Sequence, residues 1–390
     1  MTRIAAFVLI FWSIGACAAE RMTIGFVDVA DDPRHADRMG FGGILLEQRG
    51  RAHDGAALAI EDVAAVGRTL GIAFELAVAR AQNPDAVAGE VAKLRSERGT
   101  RFILVDAAPA RLQAAARAVP DALIFNVAAD ADALRGADCA ANLMHLVPSA
   151  AMRADALTQY LVARKWRDLL VLEGPAPRDT EAVRALERSA RRFGARIVAK
   201  RPFVLGSDPR EREQNNIALL TGGVNHDVVF VADESGEFAR VLPYRTLSPR
   251  PVVGSAGLTA EAWHWAWDRD GGASLSRRFR RIAHRPMRGE DWAAWLGVKA
   301  IVEAALRARS TEFATLAAHL KGDAFHVDGS KGQALSFRPW DNQLRQPVLL
   351  ATQDAVIAQA PLPQFLHQTE TLDTLGIDRP ESACKFAGAP

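Results

Sequence analysis

The chain has 390 residues, 49% of them hydrophobic, with 48 Lys and Arg against 46 Asp and Glu for a formal net charge of +2. That length is a prior for two domains of ordinary size, each able to bury its own core. The near-neutral balance, with arginines spread along the helical segments instead of gathered in one stripe, argues against a nucleic-acid partner.

The chain opens with Arg3 ahead of an apolar run, IAAFVLIFWSIGA, followed by small residues in ACAAE. A short basic start, an apolar core of this length and an A-x-A-like site predict a secretory signal peptide over residues 1–19. Spanning a bilayer takes roughly 20 apolar residues. This run is too short, and no later segment comes closer. The expectation is an exported, monomeric mature chain with no membrane span, starting near Ala19 or Glu20. Lipid attachment at Cys17, after Ile14-Gly15-Ala16, is the alternative fate of this segment.

Beyond it, short apolar runs alternate with helical patterns. The runs are TIGFVDV (23–29), IAFELAV (72–78), FILVD (102–106), ALIFNV (122–127), LLVLE (169–173), RIVAKRPF (196–203), DVVFVAD (227–233) and PVVGS (251–255). Most are continuous, as expected of parallel strands covered on both faces. In PDAVAGEVAKLRSERG, Asp85 is placed to cap a helix, Val87, Val91 and Leu94 repeat at helical spacing, and Gly99 ends it. DTEAVRALERSARRFG repeats the pattern with Asp179 as cap and Gly194 as stop. A new β-α series begins near LVPSAAMRADAL, where a helix starts after Pro148. The prediction is an α/β chain of two doubly wound parallel-sheet lobes. The C-terminal part differs. It reads as helices around 292–309 and 311–321, then hairpin-like strands through LSFRPWDNQLRQPVLLATQDAVIAQAP.

The segment IGFVDVADDPRHADR (24–38) shows where to look for function. A buried-looking strand runs straight into Asp28, Asp31 and Asp32, then Arg34, His35 and Asp37. Open α/β sheets hold ligands outside the carboxyl ends of their strands. The other strands end alike, in Asp106, in Asn126 and Asp130, in Glu173, and in Asp233 and Glu234. Each acid can equally be a helix cap, which needs no ligand.

No catalytic constellation accompanies these residues. There is no G-x-S-x-G, no H-E-x-x-H and no G-x-x-x-x-G-K, and the GFGG at 40–43 is not a dinucleotide fingerprint. Asp130-Ala-Asp132 does not open a calcium loop, because Arg135 stands where the turn glycine belongs. His264 among Trp263, Trp265 and Trp267 reads as a packing residue, while Trp263 is a candidate to stack on a ligand. Trp292 and Trp295 share helical spacing with Val298 and Val302 and read as core, and RRFRR (277–281) reads as a solvated helix face. Once the signal segment is removed, Cys139 and Cys384 remain. In an exported chain the simplest expectation is one disulfide, with two free thiols as the alternative.

The order of these parts resembles the type I periplasmic solute-binding proteins of ABC importers, in the branched-chain amino acid group. The closing stretch GQALSFRPWDNQLRQPVLLATQDAVI is similar to that group's terminal strands. The strings ADDPR, FNVAADADALRGADC, LPYRTLSPRPVVGSAGL, AWHWAW, LSFRPWDNQLRQP and LDTLGIDRPESAC resemble more narrowly a subgroup associated with PQQ-dependent alcohol catabolism. The resemblance implies two lobes joined by a three-crossing hinge. Residues 20–147 would form the first lobe and 148–258 the second. A helical return to the first lobe would span 259–330, terminal strands in the hinge and second lobe 331–370, and a C-terminal tail 371–390.

It further implies a non-catalytic periplasmic protein that closes on a small solute and delivers it to permease and ATPase subunits. A ligand sensor, or a chaperone handing its ligand to a partner such as a PQQ dehydrogenase, is the alternative. One departure limits the carry-over. Amino-acid binders of the group present hydroxyl side chains after the third and fourth strands, where this chain has DAAPA (106–110) and NVAAD (126–130). The expected contacts are therefore Asp31, Asp32, Asp106, Asn126 and Asp130 from the first lobe, and Glu173, Asp233, Glu234, Ser255 and Trp263 from the second lobe and hinge. Arg34 or Arg245 would balance charge or hold an anionic part of the ligand. If half of these acids faced the cleft it would be negative, suiting a cation, an amine, or a metal ion or chelate, lanthanides included.

Overall fold

The structure is a computed structural model, and it describes residues 20–39, 43–205 and 214–386. The expected signal segment and Cys17 lie outside the described residues.

In chain order the elements begin with β1 (Glu20–Val29), β2 (Arg38–Met39), β3 (Leu45–Glu47), α1 (His53–Leu70), β4 (Ile72–Ala81), α2 (Val87–Arg98), β5 (Phe102–Val105), α3 (Pro109–Ala118), β6 (Leu123–Asn126) and β7 (Leu143–His145). There follow α4 (Ala150–Ala163), β8 (Asp168–Glu173), α5 (Pro177–Phe193), β9 (Arg196–Pro202), α6 (Ile217–Thr221), β10 (Val228–Ala232), β11 (Val252–Gly254) and β12 (Thr259–Glu261). The remainder holds α7 (Gly272–Ala283), α8 (Gly289–Ala308), α9 (Phe313–Lys321), β13 (Val327–Asp328), β14 (Ala334–Phe337), β15 (Leu344–Arg345), β16 (Val348–Ala351) and β17 (Val356–Ala360).

Two parallel sheets carry the lobes. The first has the order β4-β1-β5-β6-β7 and the second β11-β10-β8-β9. Their central strands are buried on both faces, as the continuous apolar runs predict: β5, β6 and β10 are buried at every residue, while the edge strands β4 and β9 are partly open. The helices end where glycine permits a left-handed residue, at Gly99 (φ 65°) after α2 and Gly194 (φ 76°) after α5. The two expected caps are placed differently. Asn83 caps the turn before α2 while Asp85 pairs with Arg111, and Asp179 lies inside the first turn of α5, accepting the amide of Ala176.

The chain after β12 returns to the first lobe. Helix α8 packs on α1, and Trp292 and Trp295 are buried in the core they share. RRFRR lies in α7, where Phe279 is fully buried and Arg278 pairs with Asp62, so only part of that run is solvated. Between the lobes stands the antiparallel sheet β12-β16-β17. Successive residues of a strand face opposite ways, and β16 uses this: Leu349 packs in the core of the first lobe, Val348 and Leu350 in that of the second. The tail follows the second lobe, with Leu375 in its core and Arg338 donating to Asp373, before Cys384 joins Cys139 of the first lobe in a disulfide.

Candidate functional site

Each parallel sheet has one place where successive connections leave in opposite directions. In the first lobe this switch point lies between β1, whose chain goes on to β4, and β5 on its other side. In the second it lies between β8, followed by β9, and β10. Crevices of this kind are the usual ligand sites of open α/β sheets.

At the first switch point the sequence explains the dense acids. Asp28 is fully buried and anchored by Arg51 (3.0 Å) and Arg80 (3.3 Å), so it holds the strand end together. Asp32 caps the short turn at 33–35, accepting the Arg34 amide at 2.9 Å and the Arg34 guanidinium beside it. Burial alone would raise the Asp32 carboxyl, but Arg34 outweighs it and holds the group below its ordinary value. Arg34 also lies 3.0 Å from Asp106, which follows β5, and His35 Nε2 lies 2.9 Å from the other oxygen of that carboxylate. The two loops flanking the switch point are thereby joined.

At the second, Asp179 accepts from the Glu234 amide at 2.7 Å and joins the loops after β8 and β10. Arg178, one residue earlier, reaches across the crevice and donates to both oxygens of Asp130 in the first lobe, at 3.0 and 2.9 Å. Its Nη1 stands 3.7 Å from Glu234. A second crossing runs the other way, from Arg38 Nη2 to the carbonyl of Gly236 at 2.7 Å. Gly236 has φ +66°, and a Cβ there would run into the Arg38 guanidinium. The lobes are closed.

The helical return adds a third wall. Arg288 precedes α8, and its guanidinium lies 3.4 Å from Glu47 and 3.8 Å from Glu290. Burial would raise the Glu290 carboxyl, but Arg288, with Arg153 and Arg34 further off, brings it down to about 2. Asp291 is bound by Arg285 at 2.7 and 2.8 Å, yet burial wins there and pushes it up to about 6.

These walls enclose a cavity of about 260 Å³ lined by Arg34, His35, Asp106, Arg178, Glu234, Arg288 and Glu290, with Arg49, Asp291 and the small residues Pro33, Gly50 and Ala52 completing it. Of the expected contacts, Arg34, Asp106 and Glu234 line it, and Asp32 and Asp130 adjoin it through Arg34 and Arg178. Asn126 is turned inward, bonded to Ala129 and to His145 Nδ1. Glu173 accepts from Thr180, Asp233 caps the amide of Ala239, and Ser255 Oγ receives the amide of Asp233. Asp31 and Arg245 are exposed away from the cavity, and Trp263 is core, stacked on Trp292 with ring centroids 6.2 Å apart. The aromatic reading of Trp263 is thus corrected: the ring packs against the first-lobe helices.

The expectation of an acid-dominated cleft is corrected as well. Two of the seven acids expected as contacts line the cavity, and its four carboxylates face four arginines, Arg34, Arg49, Arg178 and Arg288. Among the described residues no group of three or more His, Cys, Asp or Glu side chains is disposed to hold a metal ion. His35 lay within the quoted sequence but was not read as a contact, and Arg178 was not singled out at all. Arg288 and Glu290 had no sequence signal, because the first-lobe residues they meet, Glu47 and Arg34, are more than 240 residues away.

No family model and no curated protein matches the sequence. Solved structures do match it. A branched chain amino acid ABC transporter periplasmic ligand-binding protein from Burkholderia xenovorans LB400 aligns with TM-score 0.69 at 16% identity, over 87% of this chain and 95% of that one. The leucine-, isoleucine-, valine-, threonine-, and alanine-binding protein from Brucella ovis, in its closed conformation, gives 0.69 at 16% over 95% and 100%. A solute binding protein of an ABC transporter from Rhodopseudomonas palustris BisB5, in complex with 3,4-dihydroxy benzoic acid, gives 0.64 at 14% over 87% and 94%. The fold is that of the type I periplasmic binding proteins. These neighbours are solute-binding proteins, and among the described residues no helix is long and apolar enough to cross a membrane.

Proposed function

We propose that the protein is a periplasmic, non-catalytic substrate-binding protein of an ABC transporter, which captures a small solute by lobe closure for import. The observation that carries this reading is the single cavity into which both switch points open, with Arg34, His35 and Asp106 from one lobe and Arg178 and Glu234 from the other. Closing such a cleft removes a small ligand from water on all sides. The permease and ATPase partners follow from the same reading. The finer link to PQQ-dependent alcohol oxidation rests on the strings quoted above. The lining supports an organic solute, or a metal held within its own chelate, over a bare ion, because among the described residues no protein donor set is gathered for one.

The test is a thermal-shift screen of the mature chain against calcium and lanthanide ions, their chelates, alcohols, aldehydes, organic acids and PQQ. A ligand at a hundred times its Kd should stabilise the protein by about 2.7 kcal/mol. A screen in which no solute class raises Tm, with scattering that shows no lobe movement, would remove the proposal.

A further inference from the structure

The cavity holds groups whose hydrogen-bonding capacity is not used within the protein. Two of its carboxylates are paired, Asp106 with Arg34 and His35 at 3.0 and 2.9 Å and Asp291 with Arg285 and the Arg288 amide at 2.7 to 2.8 Å, while those of Glu234 and Glu290 accept no hydrogen bond from another described residue. Two of its guanidinium groups are open as well, unlike those of Arg34, bonded to Asp32, and Arg49, bonded to Glu47. Arg288 makes no side-chain hydrogen bond to any described residue, its nearest carboxylate oxygens being 3.4 and 3.8 Å away. Arg178 uses only Nη2, leaving Nε and Nη1 without a bond among the described residues. Each guanidinium carries five donors in a planar fork that matches a carboxylate. These two come from opposite lobes and line one cavity.

His35 supplies the second requirement. Its side chain is 8% exposed, and Nδ1 is buried with no partner. Asp106 accepts at Nε2, so in the neutral ring Nε2 carries the hydrogen and Nδ1 presents a lone pair. A ligand hydroxyl satisfies that atom in either charge state, donating to the lone pair or accepting from an N–H. The size and lining add a third. About 260 Å³ walled by charged groups and by Pro33, Gly50 and Ala52 leaves no apolar subsite for a long hydrocarbon body.

Resting on the binding-protein reading, we infer that the ligand is a small hydroxycarboxylic acid, its carboxylate held between Arg288 and Arg178 and its hydroxyl bonded to His35 Nδ1. The acid would thus tie the first lobe to the second through its own charge.

The test compares lactate and glycolate with propionate, propane-1,2-diol, alanine and propylamine, by calorimetry and thermal shift on the mature chain. Lactate or glycolate should bind at least about tenfold more tightly than propionate or the diol, which lack one group each. Arg178→Gln and Arg288→Gln should each weaken hydroxy-acid binding by about tenfold or more. His35→Ala should bring lactate down to the level of propionate. Arg178 is half exposed, so its variant stays interpretable if Arg288→Gln fails to fold. Preference for the amine, the amino acid or the diol, or undiminished binding in Arg178→Gln, overturns the inference and leaves the binding-protein reading in place. Silence of these six probes while another solute class binds overturns it in the same way. Silence of every solute class overturns it too, and together with scattering that shows no lobe movement it removes the binding-protein reading as well.

Discussion

Arg178 in the second lobe and Asp130 in the first are bonded through a single guanidinium nitrogen to both carboxylate oxygens, at 3.0 and 2.9 Å. Half-exposed ion pairs contribute little to folding, about 0.2–1 kcal/mol. This one acts on the lobe equilibrium instead, where a fraction of a kcal/mol is enough to shift populations. Asp130→Ala should leave Tm within about 2–4 °C of the parent and raise the radius of gyration in ligand-free solution scattering. An unchanged scattering profile would show that the pair does not hold the lobes together.

The same carboxylate sets a pH window. Burial alone would raise Asp130, but Arg178 and Arg153 outweigh it and hold the group below its ordinary value. A depressed folded value means that the contribution is complete above the unfolded value, about 3.9, and is lost only as pH falls through the lower one. Closure driven by this pair should therefore be flat from pH 5 to 8. Scattering at both ends of that range checks it.

Asp341 behaves in the opposite sense. Burial pushes its carboxyl up to about 6, with Arg338 at 4.0 Å and the Gln343 amide at 3.0 Å offsetting only part of that effect. A raised folded value means the native state binds the proton more tightly than the unfolded chain does. Between about pH 4 and 6 stability should therefore fall as pH rises, by up to about 1.4 kcal/mol per pH unit for one such group. Asp341→Asn keeps the acceptor for the Gln343 amide without the charge. It should be as stable as the parent or more so at pH 7.5, with a flatter dependence of Tm on pH. A parallel curve displaced downward would contradict the assignment.

How far the sequence reached depends on the range over which each feature is decided. The strands and the helix stops at Gly99 and Gly194 are local, since burial on both faces and a left-handed residue leave marks within a few positions. The switch-point loops were legible as polar bursts, and Arg34, Asp106 and Glu234 do line the cavity. Which burst residues face inward was not legible. Asp28, Asp233 and Asn126 have the composition of ligand contacts but serve neighbouring arginines and loop amides. Arg288 was out of reach altogether. Its position follows from α8 packing on α1, a contact that joins residues over 200 apart.

Cys139 and Cys384 are bonded with Cα atoms 5.6 Å apart, across 245 residues. The chain-entropy account assigns a loop of that length about 5 kcal/mol, with measured losses for native disulfides of about 2–5. The tail it secures is also held without it, by Arg338 to Asp373 and by the Gly376 amide to Asp155 at 2.8 Å. Cys384→Ser should therefore lower the denaturant midpoint with little change in the far-ultraviolet spectrum. The same loss should appear in the parent on adding a reductant. A variant as stable as the parent, insensitive to reductant, would mean the bond does not form in the folded protein.

Gly55 and Gly89 predict opposite outcomes for one substitution. Gly55 lies in α1 where α8 crosses it, and a Cβ there would stand 2.7 Å from the carbonyl carbon and 3.0 Å from the Cα of Asp291. Those are backbone atoms at the start of a helix whose Asp291 is tied to Arg285, so no side chain can swing aside to make room. Gly55→Ala should cost about 1–3 kcal/mol through overpacking. Because Asp291 and its neighbour Glu290 line the cavity, ligand affinity should fall along with stability. Gly89 lies in α2 with nothing within 4 Å of the added methyl and an ordinary helical backbone. Gly89→Ala should gain up to about 1 kcal/mol from helix propensity and leave binding unchanged. Equal responses at the two positions in chemical denaturation would show that α1 and α8 do not approach as closely as described.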